Sequence, residues 1–181
     1  MDATPASAAS ASFPGLSYRT LQWILLLILV LHGVEELVAI TVFRPELEDA
    51  VREYPSILRP VPTVDQLLGF LFILLVVAGT PIVLPLRGRA ARVRDHFVAA
   101  VAVGFFINAL FQHLPPTLQT RGYTAGLFSA VLLAMPYSAY FVVRSLRERR
   151  VSWGGLALSL LIAGAFLVFG LRLIARAVGL Q

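Results

Sequence analysis

A histidine and two adjacent glutamates, His32, Glu35 and Glu36, stand inside the apolar run LLLILVLHGVEELVAITVF. At about 100° per residue on a helix, Glu35 lies about 60° to one side of His32 and Glu36 about 40° to the other. The three side chains therefore share one face, one turn deep. An ionised carboxylate at the centre of a bilayer costs ~2.5–3.5 kcal/mol on insertion scales, so two adjacent ones point to function. Imidazole together with carboxylate suits Zn, Mn or Fe. A second polar set, Asn108, Gln112 and His113, stands in VGFFINALFQHLPP. His32, one of Glu35 and Glu36, and His113 make three protein ligands, with a water in the fourth position of an open catalytic site. The other glutamate is then free as a general base, and a divalent metal lowers the pKa of the water. The chemistry of such a site is hydrolysis, within the membrane, of a peptide, ester or lipid-linked bond. Asn108 or Tyr123 would orient the substrate or an oxyanion. A dinuclear carboxylate site needs about four inward Glu and two His, and the spans offer only Glu35 and Glu36.

The second set carries a geometric tension. Asn108 and Gln112 are i,i+4 neighbours, whereas His113 is about 140° from Asn108 on an ideal helix. The pair Pro115-Pro116 is expected to unwind the last turn, because Leu114 is disfavoured in α before proline. That unwinding would swing His113 inward.

The elements that must position these residues follow from composition. Of 181 residues, 58% are hydrophobic and 14% charged, and the mean hydropathy is +0.81. Soluble domains carry roughly 45–50% apolar and about 25% charged residues, so a soluble enzyme, a nucleic-acid binder and a disordered chain are excluded. The net charge of +5 comes entirely from arginine, without lysine, and fits membrane topology and lipid headgroups better than nucleic acid. The absence of cysteine excludes disulfides and thiolate-bound metals. The predicted fold class is all-α, a polytopic integral membrane bundle of about five transmembrane helices. Residues 1–18 read as a disordered Ala/Ser-rich leader rather than a cleaved signal. Residues 19–181 read as one membrane domain. Its apolar segments are 21–43, 67–86, 97–114, 125–143 and 153–173, each near the ~20 residues that cross ~30 Å of hydrocarbon.

The arginines set an orientation. Arg87, Arg89, Arg92 and Arg94 lie between segments two and three, and Arg144, Arg147, Arg149 and Arg150 between four and five. By the positive-inside rule both stretches are cytoplasmic, which places the N-terminus inside and the C-terminus outside a bacterial inner membrane. Arg172 and Arg176, at the outer end, are outvoted. The acidic connection after segment one is then outside, with a short surface helix expected over 45–54 and broken by Pro55. In this orientation Glu35, Glu36, Asn108 and His113 fall in the outer half of the bilayer. Tyr123, Gly126 and Ser129, opening segment four, enter at the same level, and Arg121 is near enough to serve as a counter-ion. Three segments thus converge on one layer.

At this point the chain resembles the bacterial membrane proteins of unknown function named for an HXXEE motif. The matching residues are His32-Gly33-Val34-Glu35-Glu36, the Asn–His element Asn108 and His113, and an element Tyr-x-Pro-Gly-x-x-Thr, present here as Tyr123 to Ser129. Ala125 stands for the proline and Ser129 for the threonine of that element, and the Asn–His spacing is longer than one turn. The resemblance covers about residues 21–143 and implies no activity.

Two other functions fit the same residues. One is a metal-free proton relay, or a small-molecule or lipid binding site, in which His32 and the Glu pair exchange protons. Five spans without a repeat argue against a typical transporter, although a homodimer would restore symmetry. The other is a structural membrane scaffold, with the polar residues as glue between helices; such bonds average only ~0.6 kcal/mol in membranes. Membrane lipid is the expected partner in every case.

Overall fold

The computed structural model describes residues 15–55, 58 and 60–165. Most of the expected leader, Arg59, the distal part of the fifth segment, Arg172 and Arg176 lie outside the described residues. Among those described, the fold is an all-helical bundle, and four helices are long and apolar enough to cross a membrane. Helix α1 (Tyr18–Val42) starts where the Ser17 hydroxyl accepts from the Thr20 N–H at 3.1 Å. A side chain in that place satisfies an amide that the first turn leaves unpaired. Tyr18 is therefore helical, where the sequence placed it in the leader, and the first span starts before Leu21.

Helix α2 (Arg44–Glu53) follows after Phe43 alone, close to the expected surface helix. Pro45 sits in its first turn, where a missing N–H costs least, and Arg44–Glu48 and Arg52–Asp49 pairs of 2.7 and 3.2 Å lace its polar side. Helix α3 (Val64–Val83) opens on a reciprocal cap between Thr63 and Gln66 and runs through Pro81.

The next two spans are each built in three pieces. The first is α4 (Gly88–Asn108), a π-helical turn (Ala109–His113) and α5 (Leu114–Thr120). The second is α6 (Leu127–Ser129), a π-helical turn (Ala130–Ala134) and α7 (Met135–Arg147). Arg89, Arg92 and Arg94 thus lie within α4, and Arg144 and Arg147 within α7, rather than in loops. Helix α8 (Trp153–Ala165) is the described part of the fifth segment, and its apolar stretch Trp153–Ile162 is shorter than a span.

The π turns share a cause. A proline ring inside an α-helix collides with the carbonyl four residues back. Each π turn ends just before such a ring, at Leu114-Pro115-Pro116 and at Met135-Pro136. The widened turn closes with bonds from Leu114 N–H to Ala109 O and from Met135 N–H to Ala130 O, five residues back. One residue is inserted, the collision is relieved, and the helix continues. The expected unwinding at Pro115-Pro116 does not occur.

Packing then fixes the bundle. Helix α4 runs along α7 and α8, and α1 along α3. Ala99, Ala102, Ala109, Ala130 and Ala134 are fully buried, as membrane helices need small side chains where backbones approach. Gly33 serves the same end, because a Cβ there would lie 2.5 Å from a Leu71 methyl. Leu27, Leu31, Val34 and Val38 remain exposed along α1, the apolar face that a bilayer would cover.

Candidate functional site

The site forms where α1, the first π turn and the start of α6 meet. His32 and Glu36 are one turn apart on α1, and His32 Nε2 lies 3.6 Å from Glu36 Oε1. His113, at the end of the π turn, places its Nε2 4.0 Å from the same oxygen. The two imidazoles meet edge to face, centroids 5.0 Å apart, and each residue is only 5% exposed. One ligand atom from each of His32, Glu36 and His113 lies within 4.8 Å of the others.

The π turn is what brings His113 here. A span that repeats every 3.6 residues sets positions 108 and 113 about 140° apart, but an i→i+5 turn stacks them. Asn108 Nδ2 accordingly reaches His113 Nε2 at 3.3 Å. The amide nitrogen can only donate, so this contact is a hydrogen bond when His113 carries its proton on Nδ1.

His32 is fixed in the same sense. The Ser129 hydroxyl donates to Gly126 O at 3.3 Å, so its oxygen is left to accept from His32 Nδ1–H at 2.9 Å. That leaves the Nε2 lone pair facing Glu36, the tautomer a metal ligand requires. Phe105, on α4, packs edge-on against His32 at 5.1 Å.

Gly126 forms the floor. Its φ of +82° is left-handed, a region that L side chains avoid. A Cβ there would lie 2.8 Å from both Glu36 Cγ and His32 Cε1, and 3.0 Å from His113 Cε1. The backbone itself therefore closes against all three candidate ligands.

Glu35 does something different. Its Oε1 accepts from Phe128 N–H at 3.0 Å and from the Tyr123 hydroxyl at 2.9 Å, and its Oε2 from Ser129 N–H at 2.7 Å. This is a carboxylate capping, from another helix, the open amides and positive dipole end of a helix start. Three donors engage it, and it is absent from the three-residue group around Glu36. Tyr123 lies in the connection between spans. Its hydroxyl is pushed up to about 12, first by burial and then by its bond to Glu35, so it stays a neutral donor.

The remaining sequence candidates divide. Gly126, Ser129, Asn108 and Tyr123 join the site or its support. Gln112 is exposed, and its side chain makes no hydrogen bond to the described residues. Arg121 ends α5 in a left-handed turn, exposed and without an ion pair to the described carboxylates. Phe105 and the backbone of Phe128 carry roles that composition gave no reason to assign.

A second polar layer, which sequence reading missed, lies nearer the start of α1. Gln22 Nε2 donates to Asp95 Oδ1 at 3.0 Å, and Arg94 pairs with the same oxygen at 2.8 Å. The Tyr137 hydroxyl donates to Leu21 O at 2.8 Å and so ties α7 to α1. Between the two polar layers lie buried Leu25, Ile28, Leu29, Ala102 and Ala134. His96 accepts from Ser152 N–H at 3.1 Å beside the start of α8.

No solved structure and no curated protein sequence matches this chain. A family model described as a protein of unknown function with HXXEE motif matches residues 23–141, the stretch that supplies every ligand and support residue above. The chain belongs to the HXXEE-motif family.

Proposed function

We propose that His32, Glu36 and His113 hold one divalent metal, zinc, manganese or iron, and that the site hydrolyses a membrane-associated substrate. The observation that carries this reading is the convergence of two imidazole nitrogens, His32 Nε2 and His113 Nε2, on one carboxylate oxygen; a metal would take the place of the Asn108 amide at His113 Nε2. Two His and one carboxylate with a free position is the donor set of open catalytic zinc sites. Bonds of ~2.0–2.1 Å in tetrahedral geometry set ligand atoms ~3.4 Å apart. The separations of 3.6 and 4.0 Å come within a small contraction of that figure. A bound metal would supply Lewis acidity and a water that ionises near neutral pH.

The chain's own residues do the rest. Ser129 holds the His32 ring and its tautomer. Asn108, beside His113 Nε2, offers an amide to a metal-bound water or a substrate carbonyl. Phe105 and the apolar layer beneath it keep bulk water from the inner side. Glu35 fixes the α6 start and with it Gly126 and Ser129, so Glu36 is the glutamate of the metal and Glu35 the glutamate of the scaffold. The apolar layer also weighs against a relay across the bilayer, which needs a continuous polar path. In the orientation set by the arginines, the site opens to the outer half of a bacterial inner membrane.

The test is metal content by ICP-MS of the full chain, extracted in mild detergent without chelator, beside a His32→Ala/Glu36→Ala double variant. About one equivalent in the wild type, lost in the variant, is expected. A folded wild type that holds no metal, even after re-addition, would refute the metal site and leave the proton relay or binding pocket. Hydrolase assays on lipid-linked and ester substrates, with and without chelator, then test the reaction.

A further inference from the structure

Beside the site lies an open-sided cavity of about 500 Å³ between α2 and the 122–128 segment. Phe43, Leu47 and Ala50, with Glu46, line it from α2 and its start, and Phe128, Tyr123 and Gly122 from the other side. We propose that this cavity receives the acyl chain of a membrane amphiphile, so that the substrate of the adjacent site is a lipid. The proposal rests on the metal-site reading only for what happens at the polar end of that lipid.

Three observations support a lipid chain over other occupants. The first is volume and chemistry. The space falls within the ~300–1,000 Å³ of small-molecule sites. An ordered water needs two to four polar partners, whereas the Tyr123 hydroxyl is already committed to Glu35. The cavity thus offers an apolar chain much surface and a water little. The second is placement. Helix α2 leaves the end of a span at Phe43 and carries its ion pairs on one side, with Leu47 and Ala50 toward the cavity. That is the pattern of a helix lying at a membrane interface with its apolar side down, and the surrounding solvent at that depth is acyl chain. The third is continuity with the site. The stacked rings of Tyr123 and Phe128, 5.4 Å apart, belong to the same two residues whose hydroxyl and backbone N–H hold Glu35. The wall of the cavity is therefore the outer support of the His32–Glu36–His113 group. A chain seated along Phe43, Leu47 and Phe128 brings its polar end to Tyr123, next to that group.

The experiment uses the full chain in phosphatidylcholine nanodiscs doped with a phosphatidylcholine bearing a diazirine midway along one acyl chain. After photolysis, adducts are mapped by mass spectrometry. The expected result is enrichment on residues 43–50 and 122–128 over the lipid-facing controls Phe72 and Leu161. Ala50→Trp, which fills the cavity, should lower that enrichment about tenfold, the factor for two or so methylenes losing their contacts, and leave the controls unchanged. Ala50→Leu should lower it less. Metal content read on the same samples separates the two proposals: His32→Ala/Glu36→Ala should lose metal and keep the adducts, whereas Ala50→Trp should keep metal and lose them. Adducts no denser at the cavity than at Phe72 and Leu161 would overturn the lipid assignment whatever the metal content. So would α2–α2 cross-links between two chains on addition of a bifunctional carboxyl-reactive reagent, which would make the cavity wall a dimer interface.

Discussion

Gly126→Ala is the sharpest single perturbation of this site, because one methyl group would meet all three candidate ligands together. The backbone contribution comes first. An alanine held at the left-handed φ of +82° costs ~1–2 kcal/mol. The steric contribution comes on top. To restore ordinary contact at 3.4 Å, His32 Cε1 and Glu36 Cγ must each retreat by about 0.6 Å and His113 Cε1 by about 0.4 Å. A tetrahedral metal asks instead for ligand atoms ~3.4 Å apart, closer than the 3.6 and 4.0 Å seen here. The methyl therefore works against the contraction that binding needs. Shifts of ~0.5 Å are as large as a functional constellation tolerates, and an affinity loss of ~10–100-fold follows, the size typical for disturbed ligand support. The assay is competition for zinc against a chromophoric chelator, with thermal unfolding of the apo protein measured in parallel. Gly122→Ala is the control. It sits four residues earlier, and a Cβ there meets only Thr120 atoms at 3.6 and 3.8 Å, so both readouts should stay at wild type. Unchanged zinc affinity in Gly126→Ala would refute the reasoning, since no route exists for that methyl to avoid the group.

Other outcomes follow from the same geometry. Ser129→Ala removes the hydroxyl 2.9 Å from His32 Nδ1 and should weaken metal binding ~10–100-fold, while Ser129→Thr should restore it; equal affinity in all three forms would remove the serine from the site. The two glutamates should separate by readout: Glu35→Gln should lose ~1.5–3 kcal/mol of stability per charged bond weakened but keep its metal, whereas Glu36→Gln should stay folded and lose its metal by ICP-MS. The reverse pattern would exchange their roles. Chelation should destabilise the wild type by ~2.7 kcal/mol if metal had been present at a hundred times its dissociation constant. His113→Ala should show no chelator-dependent change in unfolding temperature.

Much of this arrangement was legible in the sequence, for identifiable reasons. The i,i+4 pair His32 and Glu36 sits on one α-helix, so an ideal 100° step places both, and the depth argument brought residues 32–36, 108–113 and 123–129 to one layer. The division between Glu35 and Glu36 was not legible, because both lie within about 60° of His32 on the helix. Only the partner segment decides between them, and it does so by presenting two backbone N–H groups to Glu35 and a cradle at Gly126 to Glu36. The second polar layer at Gln22 and Asp95 was missed because a lone glutamine in an apolar run carries no spacing signal.

His113 shows where regular-helix reasoning fails and what would replace it. Asn108 and His113 could not face one spot on an α-helix, and the two prolines that follow pointed to unwinding. The physical alternative is that a proline inside a helix apolar enough to cross a membrane has no solvent to which it can release the backbone, since unpaired amides in hydrocarbon are costly. One relief is an inserted residue, closed by an i→i+5 bond, and the chain adopts it before Pro115 and before Pro136, whereas α3 carries Pro81 near its end without one. In the first case the inserted residue turns a 108/113 spacing that misses the site into one that enters it. In the second, the widened turn begins at Ala130, directly after the serine that orients His32. Both prolines therefore act on the site from outside it, through the pitch of the helix, and a span in which a polar residue and a histidine stand five apart just ahead of a proline is better read on the π repeat than on the α repeat.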